Sequence, residues 1–98
     1  MVVSELISNT SALLYLYRIN IIDWLPTLFS QVWTTKAVVR ELREGAIRGY
    51  EVPKSNYSWL QIVEPHAIPS EWLALDLGAG ELTVMALALE NPSQQPLS

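Results

Sequence analysis

Three oxygen-bearing side chains stand out by type and setting. Asn9 lies in the polar joint Ser8-Asn9-Thr10-Ser11, between two apolar runs. Glu41 borders the apolar stripe of "KAVVRELRE", and Glu81 stands near the start of the otherwise apolar "LGAGELTVMALALE". A carboxylate at the edge of a buried face needs a hydrogen-bonding partner or a cation. An amide or hydroxyl just past a strand can face a cleft. Each residue also has a local explanation: Asn9, Thr10 and Ser11 can satisfy turn and helix-cap groups, and Glu81 can complement a helix dipole. Sequence spacing leaves both open.

Whatever these residues do, one small domain must position them. The chain has 98 residues, half of them apolar and 16% charged, a balance suited to a packed core and not to a disordered linker. There is no cysteine, which excludes disulfides, thiolate metal sites and cysteine nucleophiles. No apolar run reaches the roughly 18 residues of a membrane span, and the N-terminus lacks the form of a signal peptide, so the expected location is cytoplasmic. The net charge of −4 is not that of a dedicated nucleic-acid binder. Arg40, Arg43, Arg48 and Lys54 do cluster, interleaved with Tyr50 and Tyr57, and read as a solvated helix end and loop. The single histidine, His66, and Asp76 read as loop residues outside any site.

Periodicity and punctuation predict a first strand over 2–8 and a helix capped by Ser11. A second helix is expected over about 21–29, a strand over 31–34, and a helix over 36–44 with Gly45 as its stop. A loop follows, then a strand over 59–63, a short helix over 69–75, and a long apolar helix over 79–90 ended by Asn91-Pro92. Most of the four tryptophans, Trp24, Trp33, Trp59 and Trp72, are expected in the core. Alternating strands and helices indicate an α/β domain over 1–91 with a mainly parallel sheet, followed by a polar tail over 92–98. In such sheets, sites gather at the carboxyl ends of the strands.

The ordered segments "VSELISNTSALLYLYRINIIDWLPTLFSQVWTTKAVVRELREG", "WLQIVEP" and "LDLGAGELTVMALALE" resemble the PIN-like nuclease domains, particularly a prokaryotic subgroup related to VapC-type toxins. The resemblance runs from Val2 to about Glu90. It implies a three-layer α/β/α fold in which acids from separate segments bind Mg2+ or Mn2+ and activate water to cleave RNA. By the same resemblance, Asn9 stands where the family has its first metal-binding aspartate, while Glu41 and Glu81 match the acids on the two later helices. These three are the candidate metal and catalytic positions, with Thr10 or Ser11 assisting the first.

Two departures qualify what the resemblance implies. An amide at position 9 removes a negative charge, so weak metal binding is expected. The family also continues into a further strand and another acidic position, so this chain is expected to lack C-terminal strand(s) of the fold. The resulting unpaired edge and uncovered apolar surface would favour a homodimer or higher homo-oligomer. RNA and an antitoxin-like protein are the candidate partners. The contrasting expectation is a catalytically inactive, truncated module kept for protein binding or oligomerisation.

Overall fold

The computed structural model of the chain describes residues 3–92 and 95–97. Its described elements are β1 (Val3–Ser8), α1 (Thr10–Arg18), a 3-10 turn (Ile22–Trp24), α2 (Leu25–Leu28), β2 (Phe29–Thr34), α3 (Lys36–Ile47), β3 (Leu60–Ile62), a second 3-10 turn (Ser70–Ala74), α4 (Ala79–Glu90) and β4 (Gln95–Leu97). The four strands form one parallel sheet in the order β3-β2-β1-β4. The chain therefore steps outward from β1 to β3 and returns past β1 to β4. That reversal makes the carboxyl end of β1 a topological switch point, where open α/β sheets form their crevices.

Adjacent residues of a strand face opposite sides of the sheet. Leu6 is 2% exposed and its neighbour Ile7 0%, so β1 is covered on both faces, as a three-layer arrangement requires. The core joins these to Leu13 of α1, Val32 of β2, Val38 and Leu42 of α3, and Val84 and Leu87 of α4. Trp33 and Trp59 are partly buried against it, whereas Trp24 is 59% exposed, so the tryptophans flank the core instead of filling it. No helix among the described residues is long and apolar enough to cross a membrane.

Helix ends account for most departures from the sequence-based boundaries. At the end of α1, Asn20 adopts φ 67°, while Asn20 N–H donates to Tyr17 O (3.1 Å) and Ile21 N–H to Leu16 O (2.9 Å). This Schellman closure uses an asparagine where glycine is commoner. The same closure ends α3 at Gly49 (φ 88°), with Gly49 N–H donating to Ala46 O and Tyr50 N–H to Gly45 O (both 3.0 Å). Gly45 lies inside α3, where an added Cβ would stand 3.1 Å from Val52 Cγ1. The expected stop is thus a close-packing position. The helix expected over 21–29 divides at Pro26, whose missing N–H suits the first turn of a new helix.

The expected polar tail is corrected at 95–97, which pair with β1 in the register Leu6↔Gln95, Ile7↔Pro96 and Ser8↔Leu97. Its Pro96 is compatible with strand structure because β4 is bonded on one side only, the setting in which a strand tolerates proline.

At the far end of α4, Glu90 holds the loop after β3. Its carboxylate accepts from the backbone N–H of His66 (2.8 Å) and of Ala67 (3.3 Å), and Oε1 lies 3.1 Å from His66 Nδ1. The His66 N–H is the main cause holding the Glu90 carboxyl below its ordinary pKa. A lowered folded pKa contributes stability above the unfolded value of about 4.3, which is lost as pH falls through the folded value. Chemical denaturation of wild type and Glu90→Gln should therefore differ at neutral pH and converge as pH falls through the lowered Glu90 pKa.

Candidate functional site

The site begins where β1 becomes α1. Asn9, with extended backbone (φ −95°, ψ 178°), is the N-cap of α1, and its Oδ1 accepts from Ala12 N–H at 2.9 Å. Asn9 is 7% exposed. The cap expected at Ser11 thus falls two residues earlier, because a cap side chain bonds the N–H three positions on. With Asn9 in that role, Thr10 is the first helical residue and its hydroxyl is free to reach across to another helix.

It reaches Glu41, whose Oε1 accepts from Thr10 Oγ1 while Oε2 accepts from Gly80 N–H at 3.1 Å. Glu41 is partly buried in the middle of α3, whereas Gly80 belongs to the first turn of α4, where backbone N–H groups lack intrahelical partners and favour an anion. A Cβ at position 80 would stand 2.5 Å from Glu41 Oε1 and 3.0 Å from its Cδ. Glycine here is a condition of the close approach.

Buried hydroxyls form a second joint beside the first. Thr34 Oγ1 donates to Ser8 O (2.9 Å), fixing the carboxyl ends of β1 and β2 to each other. Thr35 caps α3, accepting from Val38 N–H (3.4 Å), and its Oγ1 lies 2.7 Å from Thr83 Oγ1 on α4. Ser8, Thr34 and Thr35 are all 0% exposed. Sequence reasoning did not single them out as supports of the site. Their signal was a set of hydroxyl residues at two strand ends.

Glu81 follows Gly80 and is exposed. Together with Asn9 it lines an open cleft of about 590 Å³, whose apolar walls include Trp72, Leu77, Val84, Met85 and Leu89. The structure thus brings Asn9 and Glu81 to one cleft and links Glu41 to both through their neighbours Thr10 and Gly80. His66 stands apart, paired with Glu90, and Asp76 is exposed in the segment before α4. Among the described residues there is no group of three or more His, Cys, Asp or Glu that could hold a metal ion. Of the three candidate positions, Asn9 and Glu81 line the cleft, and Glu41 lies behind them with both carboxylate oxygens hydrogen-bonded.

A family model described as a PIN domain, DUF3368, matches residues 5–97. The chain belongs to the PIN domain family. No curated protein and no solved structure gives a significant match. The match identifies a nuclease-like domain of a family that generally uses divalent metals. The parallel α/β sheet agrees with membership of that family.

The junction at Gly80 makes a stability prediction. Gly80→Ala displaces the Glu41 carboxylate from its hydrogen bonds, and the expected loss is about 1 to 3 kcal/mol. Equilibrium denaturation of Gly80→Ala, Glu41→Ala and the double variant should show strong non-additivity, since one lost contact cannot be lost twice. Additive losses would contradict the contact.

Proposed function

We propose that this PIN domain is a ribonuclease dependent on Mg2+ or Mn2+, with Asn9, Glu41 and Glu81 as its metal-binding and catalytic positions. The observation that carries this reading is the shared Glu41 carboxylate, which meets the neighbours of Asn9 and Glu81 at a switch point of the sheet. A bound divalent cation supplies a more acidic water and charge neutralisation at phosphorus. The protein's own residues do the rest. Glu81 is exposed and makes no ion pair or hydrogen bond among the described residues, so its carboxylate is available to a cation or to the proton of an attacking water. Asn9 is held in place by Ala12 N–H through one lone pair of its carbonyl oxygen, leaving the other for the cleft. Glu41 positions the starts of α1 and α4 and adds negative charge behind them.

Two carboxylates and an amide make a low-charge site. Mg2+ commonly keeps several waters and binds through one or two carboxylates plus substrate phosphate, so RNA would complete the coordination and metal affinity without RNA would be weak. A second reading, a catalytically inactive module serving protein binding or oligomerisation, is favoured by the lack of a three-acid group among the described residues. The exposed apolar side chains Leu73 (72%), Leu75 (46%), Met85 (40%) and Leu89 (65%) would serve such a role. They would equally seat an antitoxin-like protein or a second copy of an active toxin-type nuclease.

Cleavage of a fluorogenic RNA separates the readings. Activity should require Mn2+ or Mg2+, disappear with chelator, and fall roughly 100-fold or more in Glu81→Gln. Asn9→Asp preserves the cap, since the two residues cap equally well, and restores a negative charge. It should tighten Mn2+ binding roughly tenfold by calorimetry. Metal-independent cleavage, or no gain in Asn9→Asp, would count against the metal site; absence of cleavage by a folded protein would leave the binding module.

A further inference from the structure

Charge is distributed unevenly along this acidic chain. Residues 36–54 hold five of the six Lys and Arg side chains and three of the ten acids, a net +2 against −6 for the remainder. Lys36, Arg40 and Arg43 are spaced i, i+4, i+7 and therefore share one face of α3, and all three are exposed. Glu41, next to Arg40, is turned away into its contacts with Thr10 and Gly80, whereas exposed Glu44 lies one turn on from Arg40 and Glu64 accepts from the Lys36 backbone N–H at 2.8 Å, so the stripe is basic in balance and flanked by two acids. None of the five basic side chains makes an ion pair with a carboxylate among the described residues.

The stripe leads into a groove. Arg43 Nε donates to Ser55 Oγ at 3.4 Å, and the space of about 460 Å³ between α3 and the loop over 52–56 is bordered by Arg43 and Lys54. At its other end the stripe starts at Lys36, directly after the Thr35 that touches Thr83 of α4, on the sheet edge that carries the candidate site. Lys36 to Arg43 spans about 10 Å along the helix.

We infer that this face of α3, Lys36-Arg40-Arg43 continued by Lys54, is the track along which a single-stranded RNA backbone reaches the cleft. The choice of RNA as the polyanion rests on the ribonuclease reading. The geometry contributes a row of exposed cations without ion pairs among the described residues, beginning after the carboxyl end of β2 and ending in a groove bordered by Arg43 and Lys54. Binding here is to phosphates, so it is indifferent to sequence and dependent on salt.

The test is fluorescence anisotropy of a short labelled single-stranded RNA in chelator, which prevents cleavage, across a salt series. Each phosphate contact on a single strand contributes about −0.7 to the slope of log affinity against log salt. The triple variant Lys36→Ala/Arg40→Ala/Arg43→Ala should bind roughly tenfold or more weakly, with a slope shallower by about 2. Arg40→Gln alone should shallow it by about 0.7, and Arg18→Ala, off the stripe, should change neither quantity. Circular dichroism checks that each variant is folded. Wild type that fails to bind at low salt, an unchanged slope in the folded variants, or poly-glutamate displacing RNA equally well per charge would overturn the track. RNA binding through these residues without metal-dependent cleavage would uphold the track and remove the ribonuclease reading. Cleavage with unaltered binding in the triple variant would do the reverse.

Discussion

The Glu41 carboxylate accepts a hydrogen bond from the Thr10 hydroxyl with one oxygen and from the Gly80 N–H with the other. A partly buried carboxylate left without such donors would carry a desolvation cost of kcal/mol order, so the three partners constrain one another. Thr10 must present its hydroxyl from the first turn of α1, which it does because Asn9 has taken the cap. Gly80 must lack a side chain because the carboxylate occupies the space where a Cβ would lie. Through this one group the starts of α1 and α4 are fixed to α3, and Asn9 and Glu81 are carried to the same cleft.

The sheet supplies the setting. Its order places β4 on the opposite side of β1 from β2, so the carboxyl end of β1 opens at a switch point. Buried hydroxyls hold that end in register, Thr34 to the Ser8 carbonyl and Thr35 to Thr83. Polar groups this deep are tolerated because they are bonded. The contacts that satisfy these buried polar atoms also fix where Asn9 and Glu81 stand.

Much of this was legible in the sequence. The strand ending at Ser8 and the apolar helix over 79–90 follow from local pattern, and the order of segments carried the likeness to PIN domains. What the pattern missed was set by backbone geometry or by distant partners. Asn20 stops α1 through a left-handed closure that asparagine adopts less often than glycine, and Gly45 fills a close-packed helical position that resembles a stop. Ser11 and Asn9 are both good caps, and only the position of the first helical turn chooses between them. The role of Gly80 could not be read locally, since its constraint comes from a side chain 39 residues away. The strand at 95–97 depends on the exposed edge of β1 more than on its own composition.

The central proposal is that the cleft lined by Asn9 and Glu81, with Glu41 bonded behind it to Thr10 and Gly80, binds a divalent metal despite the amide at position 9. Anomalous diffraction from crystals soaked in Mn2+ tests it most directly, because the metal is located without reference to activity. The account predicts an anomalous peak in the cleft, coordinated by Glu81 and within the shell of Asn9 and Glu41. A peak only at other carboxylates, or none at millimolar Mn2+ with the cleft open to solvent, would contradict it.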